Sequence, residues 1–278
     1  MLLFKGLRDQ LLTPLQSVSG IVEKRHTLPI LSNVLLEKDG EKLTLLATDI
    51  EIQITTTTST SGTEKLGLTV AARKLQDILR SLPESAEISL AFEDKRLQLK
   101  AGKSRFNLQT LPADDFPKIS ATTGTTTQLR ITQRQMRRLL ACVQYAMAQQ
   151  DIRYYLNGLL LVVKGNNLIV VATDGHRLAF TSEALNETFS PIEVILPRKT
   201  IIELSRQLDD SDELLNISLT PTQASFTFGK IELISKLIDG KFPDYERVLP
   251  KGGDKLVVAD RQTLREAFTR TAILSNEK

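Results

Sequence analysis

The clearest pattern of apolar and polar positions lies in the second half of the chain. Apolar residues recur three and four positions apart at Met136, Leu139, Leu140, Val143 and Met147. This spacing places the side chains on one face and predicts an amphipathic helix from Gln133 to Met147. Further helices are predicted from Arg73 to Leu82, from Arg198 to Leu208 and from Gln262 to Leu274.

Short segments rich in apolar residues predict strands between these helices. They run from Glu87 to Phe92, Arg96 to Lys100, Leu215 to Leu219 and Ala224 to Phe228. Two more strands in each half should be joined by turns, at Asp39-Gly40 and at Lys164 to Asn167. Because strands and helices do not strictly alternate, the pattern predicts an α+β fold, with two helices per domain packed on a largely antiparallel sheet.

The chain repeats itself after about 125 residues. Leu31 to Leu36 resembles Leu156 to Leu161, Ala47-Thr48-Asp49 recurs as Ala172-Thr173-Asp174, Ala72-Arg73-Lys74 as Pro197-Arg198-Lys199, and Phe116-Pro117 as Phe242-Pro243. Each match is short, but four matches in one order at nearly one offset indicate an internal repeat. The helical pattern from Gln262 begins a third copy shortly before Lys278.

These repeats predict the domain organisation. A first domain is expected over residues 1–121 and a second over 128–250, with 251–278 as the first helix of a third. The threonine-rich stretch from Ser120 to Thr127, which contains Gly124, is predicted to be the linker. The length of 278 residues agrees, because single cores stop growing near ~250–300 residues.

Composition excludes several classes of protein. The longest apolar runs, Leu159 to Val163 and Leu168 to Ala172, have five residues, whereas a membrane helix needs about 20. Lys5, Arg8 and Asp9 interrupt the N-terminus, so no signal peptide is predicted. One cysteine and two histidines leave no disulfide and no basis for a metal site. The expectation is a reduced cytoplasmic protein without metal or cofactor.

The net charge is only +3, but basic residues concentrate on the predicted helices. Arg134, Arg137 and Arg138 lie on one helix, and the pairs Arg73-Lys74 and Arg198-Lys199 open two others. These residues could be solvated helix faces. Alternatively, the homologous helices present one basic surface to a polyanion. No zinc finger or helix-turn-helix pattern is present, so base-specific recognition is not predicted.

Three further features each allow two interpretations. Tyr154 and Tyr155 follow a glutamine pair, and could pack on a strand edge or contact nucleic acid. Asp174 and His176 could form a catalytic pair, but Asp-Gly is first a turn signal, and the first repeat has no histidine there. Cys142 is predicted to be a core residue rather than a nucleophile.

Five motifs carry a resemblance that covers the full chain. They are Ser104-Arg105-Phe106 continuing to Leu111-Pro112-Ala113-Asp114-Asp115-Phe116-Pro117, DIRYYLNG from Asp151 to Gly158, ATDGHRLA from Ala172 to Ala179, SKLIDGKFPDYERVLP from Ser235 to Pro250, and AILSNEK from Ala272 to Lys278. With these motifs the chain resembles the β subunit of bacterial DNA polymerase III, the sliding clamp.

The resemblance implies a non-catalytic processivity factor for DNA replication. Members of the family have three domains per subunit and form a head-to-tail homodimer ring, with helices lining the hole. Double-stranded DNA threads the ring and is held by its phosphates, independently of sequence. The implied partners are the replicative polymerase catalytic subunit, the clamp loader and other proteins with clamp-binding peptides. No cofactor and no membrane contact are implied.

The resemblance also implies site residues. The DNA-contact positions fall on Arg25, Arg73, Gln150, Tyr154 and Tyr155, with Lys24, Arg198 and Lys199 as additional phosphate contacts by location. The pocket for a partner peptide falls on Leu156, Thr173, Gly175, His176, Arg177, Leu178, Pro243, Arg247 and Val248. No catalytic or metal-binding residues are implied.

One departure from the family concerns length. A family member continues through a whole third domain, whose final residues wall the peptide pocket and whose contact with the first domain closes the ring. We therefore expect a chain truncated in its third domain. The alternative is a two-domain adaptor that binds clamp-binding peptides but cannot close a ring.

Overall fold

A computed structural model describes residues 1–22, 28–120, 126–250 and 252–275. The chain divides into two compact units, Met1–Phe242 and Pro243–Lys278. The first repeat and the second repeat up to Phe242 lie in the first unit. Within the described ranges, no helix is long and apolar enough to cross a membrane.

The first repeat alternates hairpins with two helices. Its elements are β1 (Leu2–Leu7), α1 (Arg8–Ser19), β2 (Asn33–Asp39), β3 (Lys42–Thr48), β4 (Ile52–Ser59), β5 (Lys65–Ala71), α2 (Ala72–Ser81), β6 (Glu87–Glu93), β7 (Arg96–Ala101) and β8 (Ser104–Pro112). Helix α1 buries Leu11, Leu12, Leu15 and Val18. It packs on α2, β3 and β4, so its apolar face becomes part of the core.

The second repeat has a similar order of elements, but two long strands take the place of the four strands between the helices. It comprises β9 (Thr127–Thr132), α3 (Gln133–Val143), β10 (Gly158–Thr173), β11 (Leu178–Pro197), α4 (Arg198–Gln207), β12 (Leu214–Leu219), β13 (Gln223–Phe228) and β14 (Ile231–Lys236). The turn predicted at Lys164 to Asn167 occurs inside the long strand β10, where the pairing register shifts on both sides of Gly165. Gly165 has φ +60°, like Gly40 with φ +61° in the first repeat, and glycine adopts this conformation without a Cβ clash.

All recorded strand pairings are antiparallel, which confirms the predicted α+β fold. One sheet has the strand order β1-β6-β7-β8-β5-β2-β3-β4-β14-β13-β12-β9, and β10 and β11 pair separately. The large sheet crosses from one repeat to the other where β4 meets β14. There Ile52 pairs with Ser235 and Thr55 with Glu232. The repeats are therefore joined by a backbone ladder.

Ion pairs flank this joint between the repeats. The loop before β4 provides Asp49, which pairs with Lys199 at the start of α4. It also provides Glu51, which pairs with Lys236 at 3.3 Å. The backbone N–H of Lys236 donates to the carbonyl oxygen of Glu51 at 2.9 Å. The joint thus combines main-chain and charged contacts.

Helix α3 confirms the predicted apolar stripe but corrects two details. Met136, Leu139, Leu140 and Val143 are buried, as is Met147. The helix ends at Val143, and a 3₁₀ turn follows over Gln144–Ala146. The prediction that Cys142 is a core residue is wrong, because its side chain is exposed. At about 100° per residue, position 142 lies roughly 120° from the centre of the stripe.

The described residues of the second unit form α5 (Tyr245–Val248), α6 (Arg261–Thr271) and a 3₁₀ turn over Ala272–Leu274. Asp260 caps α6 by accepting a hydrogen bond from the backbone N–H of Thr263 at 2.8 Å. This bond lowers the pKa of the Asp260 carboxyl group. Helix α6 lies where the sequence predicted the opening helix of a third copy.

Candidate nucleic-acid interface and peptide pocket

The basic pairs that open α2 and α4 occupy equivalent places in the two repeats. Arg73 Nη2 donates to the carbonyl oxygen of Val22 at 3.0 Å. Arg198 Nη1 donates to the carbonyl oxygen of Met147 at 3.3 Å. Val22 and Met147 are themselves 125 residues apart. Each arginine therefore ties its helix to the segment after the opening helix, and its position is fixed by the fold of the repeat.

The remaining predicted phosphate contacts have different surroundings. Lys199 is ion-paired with Asp49 across the joint between the repeats. Lys24 and Arg25 lie outside the described residues. Among the arginines of α3, Arg134 pairs with Asp210 at 2.9 Å and with Asp212 at 2.7 Å. Its pKa is raised, chiefly by the hydrogen bond to Asp210, so two carboxylates offset the positive charge of Arg134.

The loop that carries Gln150, Tyr154 and Tyr155 is closed by two reciprocal hydrogen bonds. The backbone N–H of Asp151 donates to Asn157 Oδ1 at 2.9 Å, and Asn157 Nδ2 donates to the carbonyl oxygen of Asp151 at 2.8 Å. Gln150 has φ +58° and is exposed. Tyr154 is 58% exposed, and its ring meets that of Tyr155 edge to face at 5.8 Å. The loop therefore presents an amide and an aromatic ring to solvent.

Arg153, an exposed residue, stabilises the same loop. Its Nε and Nη2 bind the two carboxylate oxygens of Asp151 at 3.0 and 2.8 Å. This bidentate hydrogen bond lowers the pKa of Asp151 to about 2. Nη2 also donates to the carbonyl oxygen of Asp174 at 3.3 Å. Arg153 thus connects the loop of Gln150 and the tyrosines with the loop of Asp174.

The predicted pocket residues Thr173 to Leu178 form a compact turn after β10. Thr173 Oγ1 donates to the carbonyl oxygen of Arg177 at 2.7 Å and accepts from the N–H of Gly175 at 3.1 Å. Gly175 has φ +86°, and a Cβ there would lie 2.9 Å from Arg153 Nη2. Leu156, 17 residues before Thr173, is buried, while His176 and Arg177 are exposed. This turn therefore presents polar side chains beside buried apolar ones.

The first repeat contains the same turn without the glycine. Thr48 Oγ1 donates to the carbonyl oxygen of Ile52 at 2.7 Å, and Asp49 Oδ1 accepts from the N–H groups of Glu51 and Ile52 at 2.9 and 2.8 Å. Ile50 takes the place of Gly175 and has φ +79°, a conformation that β-branched residues rarely adopt. In the first repeat this turn lies at the joint between the repeats. The equivalent turn of the second repeat carries the predicted pocket residues.

The geometry of Asp174 does not support a catalytic pair with His176. Asp174 Oδ1 accepts from the backbone N–H groups of His176 and Arg177, each at 3.0 Å, and Oδ2 accepts from Arg177 Nε at 3.0 Å. These backbone bonds, that of Arg177 first, lower the pKa of the Asp174 carboxyl group. The carboxylate is thus occupied by the turn and by Arg177, as expected of a structural residue.

The last three predicted pocket residues lie in the second unit. Pro243 precedes α5, and Arg247 and Val248 lie on it. Arg247 Nε pairs with Asp244 at 2.8 Å, and Val248 is exposed. Grouping these residues with the turn of Thr173 remains a prediction.

Sequence reasoning missed Tyr145 and Arg153, which contact the predicted pocket turn. The guanidinium of Arg177 lies 5.6 Å from the ring centre of Tyr145, a cation–π distance. Tyr145 lies in the 3₁₀ turn after α3, and no sequence spacing links it to Arg177. Arg153 was the other omission. Its spacing two residues after Asp151, in a turn-rich segment, is a local signal that could have identified it.

Comparison with known protein families agrees with the repeats. The model of the DNA polymerase III beta subunit N-terminal domain matches residues 2–120. The model of the central domain of the same subunit matches residues 130–244. Together the two models cover most of the chain and both full repeats.

Curated relatives and solved structures lead to the same family. The beta sliding clamp of Pseudomonas putida is 53% identical over 98% of this chain, and that of Escherichia coli is 45% identical over 98%. In both cases the chain spans 74% of the relative's length. The crystal structure of the DNA polymerase III subunit beta from Pseudomonas aeruginosa has a TM-score of 0.93 at 51% identity, covering 99% of this chain and 75% of that one. Both domain matches and these relatives show that the chain belongs to the DNA polymerase III beta subunit family, the beta sliding clamps.

Proposed function

We propose that this chain serves as a non-catalytic processivity subunit that binds duplex DNA through its phosphates and tethers partner proteins by their clamp-binding peptides. The cytoplasm is the proposed location, and a homodimer ring is the proposed assembly. The proposed domains are residues 1–121, 128–250 and 251–278. DNA binding through phosphates accounts for basic helices on a chain whose net charge is nearly neutral.

The observation that carries the DNA part of the proposal is the equivalent placement of Arg73 and Arg198. Both lie at the start of the second helix of a repeat. Each donates one hydrogen bond to a backbone carbonyl, and the two acceptor residues, Val22 and Met147, are 125 positions apart. A guanidinium has five N–H donors, so each keeps donors for a phosphate oxygen. Two such groups at one repeat spacing can bind a regular polyanion without contacting base edges.

Gln150, Tyr154 and Tyr155 are proposed to contribute further contacts. Their loop is fixed by Asp151, Arg153 and Asn157, so little conformational entropy is lost when it meets DNA. An exposed tyrosine can donate a hydrogen bond to phosphate or stack on an exposed base. Lys24 and Arg25 belong to the same proposal from the sequence alone.

The proposed work of the subunit is tethering. A partner held by a short peptide remains near the DNA after each dissociation, because its effective concentration is set by the tether. The polymerase catalytic subunit, the clamp loader and other peptide-bearing proteins would use the same pocket, formed by the turn of Thr173 together with Leu156, Pro243, Arg247 and Val248. Apolar walls with a few polar groups suit an anchored linear peptide.

The salt dependence of DNA affinity tests the DNA contacts. The affinity of the full chain for a sequence-neutral duplex should fall steeply with salt, and Arg73→Ala and Arg198→Ala should each reduce the slope by about 1. Arg134→Ala is the matched control, since Asp210 and Asp212 already pair with that guanidinium, and its slope should stay unchanged. Binding that does not depend on salt would contradict phosphate contact.

Two further measurements test the pocket and the ring. Affinity for a linear Gln/Leu/Phe-type clamp-binding peptide should be lost in His176→Ala and Leu156→Ala but kept in Arg134→Ala, and unchanged affinity in all three would refute the pocket. The mass in solution should be that of a dimer. A strict monomer that still binds the peptide would instead favour the two-domain adaptor.

A further inference from the structure

A cleft in the second repeat lies where the first repeat is closed by its own backbone. In the first repeat, β8 closes on β5 through the pairs Leu68 with Pro112, Thr69 with Leu111 and Val70 with Thr110. At the repeat offset, Ile195 corresponds to Val70. At this place in the second repeat, the described residues form a single isolated backbone bridge, between Ile195 and Ile238.

The strand that would close the second repeat is used elsewhere. β14 corresponds to β8 in the order of elements, but it pairs with β4 of the first repeat. Beyond the bridge at Ile238, the segment leading to Phe242 runs apart from β11 and leaves a cleft of about 610 Å³. In the first repeat the counterpart of Phe242, Phe116, packs on Leu35 and Leu46.

The cleft has an apolar floor and a polar rim. Leu160, Ile195 and Phe242 are among its apolar lining residues. Its charged and amide lining residues are Glu193, Gln223, Lys236, Asp239 and Lys241. The acidic and basic groups balance, so the charge of the cleft selects neither a polyanion nor a cation. Apolar side chains with polar neighbours suit a peptide better.

One wall of the cleft is an open strand edge. Ile238 N–H donates to the carbonyl oxygen of Ile195 at 2.9 Å, so the backbone groups of Ile195 point away from β10. Because backbone groups alternate along a strand, those of Glu193 point the same way, into the cleft. No recorded backbone hydrogen bond within the described ranges reaches Glu193 from that side. An extended chain could therefore add to β11 at Glu193.

The cleft is also close to the proposed peptide pocket. A Cβ on Gly158 would lie 3.0 Å from Ile238 Cδ1, and Gly158 is two residues from Leu156. Leu156 and Leu160 are four residues apart, at most about 13 Å along an extended chain. Six residues that flank a bound peptide would span about 20 Å. They therefore reach from the pocket to the cleft.

We propose that this cleft binds a second, extended segment of a clamp-binding partner, which adds as a strand to β11 at Glu193 beside the peptide held in the pocket. The inference rests on the proposed function, because one partner chain supplies both segments. Alternating apolar side chains of that segment would face Leu160 and Phe242. The cleft would then favour partners with a strand-forming flank over partners with a flexible one.

Peptides with matched flanks test this proposal on the full chain. The probes are a Gln/Leu/Phe-type core peptide, the same core with a Thr-Val-Thr-Val-Thr-Val flank at either end, and the same core with Gly-Ser flanks of equal length. One of the Thr-Val flanks should raise affinity about tenfold, the effect of one or two backbone hydrogen bonds. The Gly-Ser flanks should add little. Equal affinity of all flanked peptides would overturn the proposal.

Two variants locate the effect. Glu193→Pro removes the N–H that faces the cleft while sparing the ladder to β10, and should abolish the gain from the flank. Glu193→Ala keeps the N–H and should retain the gain. Both variants should keep wild-type affinity for the core peptide, which shows that they fold. A full gain in Glu193→Pro would refute strand addition.

Hydrogen exchange at the Glu193 amide separates the cleft from the pocket. The Thr-Val peptide should slow this exchange at least tenfold, and the core peptide should not. If the core binds and the flank adds no protection, the cleft proposal fails and the proposed function stands. If the core alone does not bind but the flanked peptide protects Glu193, the pocket fails and the cleft stands. If no peptide binds, both fail.

Discussion

Lys38 offers a sharp test of how the first repeat is stabilised. Its side chain on β2 has no exposed surface. Its ammonium group donates to the carbonyl oxygens of Leu2 at 2.9 Å and Ser61 at 2.7 Å, and to Glu64 Oε2 at 2.8 Å. One buried charge therefore ties β1 and the loop after β4 to the middle of the sheet.

Lys38→Met should lower the free energy of unfolding by about 1–5 kcal/mol. Methionine has a similar length but no donor, so the carbonyl groups of Leu2 and Ser61 lose their partner, at ~1–3 kcal/mol for each acceptor left unsatisfied. Burial of the methionine side chain offsets part of this, roughly 1 kcal/mol. The sum is comparable with the ~3–5 kcal/mol measured when one partner of a buried ion pair is removed.

Urea unfolding followed by circular dichroism measures the change, with Lys65→Met as the matched control. Lys65 pairs with Asp39 at 3.1 Å, but the two side chains are 78% and 70% exposed, so its loss should cost less than ~0.5 kcal/mol. The Lys38 hydrogen bond lowers the pKa of Glu64 below its ordinary 4.5. The stabilisation is therefore complete above pH 4.5 and is lost as pH falls through the folded pKa. Equal stability of both variants at pH 7 would refute this reasoning.

Three further predictions concern the joint and the loops. Lys199→Ala should destabilise the protein by ~1–3 kcal/mol, because Asp49 is largely buried and loses its ion-pair partner. Lys199→Arg should restore most of this stability in thermal unfolding. Full stability of Lys199→Ala would contradict a stabilising role for this ion pair. Ile50→Asn should stabilise the protein by up to ~1 kcal/mol, since asparagine tolerates φ +79° better than isoleucine; a loss in urea unfolding would contradict the inferred strain. Asp151 should titrate near pH 2 in an NMR experiment, and the loop should lose stabilisation as pH falls from 3.8 through that value. In Arg153→Gln the pKa of Asp151 should rise towards 3.8. An unchanged pKa would exclude Arg153 as the cause of the lowered value.

Local features of the fold were predictable from the sequence. The predicted start of α3 at Gln133 is confirmed because Thr132 and Gln135 cap it reciprocally, an arrangement that depends on residues three apart. The starts of α2 and α4 were predicted within one residue, at Arg73 and Arg198, since their apolar spacing is regular. The prediction for Cys142 was wrong because this position was assigned to the core without working out its angle from the centre of the apolar stripe.

Features that depend on distant pairing were not predictable. β4 and β14 come together from positions about 180 residues apart, and nothing in either strand identifies the other. The pairing of Lys199 with Asp49 depends on that same joint, so location alone suggested only a phosphate contact for Lys199. The local part of the candidate site could be predicted from motifs, whereas Tyr145 and the cleft beside Glu193 required the three-dimensional arrangement.

The ladder between β4 and β14 has a consequence for fragments of this protein. A repeat expressed alone would expose either the Ile52–Thr55 edge or the Glu232–Ser235 edge as a row of unpaired amides and carbonyls. Such edges pair readily with other chains and promote aggregation. A cut between residues 120 and 126 would therefore give two pieces that each tend to self-associate, although the junction looks in sequence like an ordinary domain boundary.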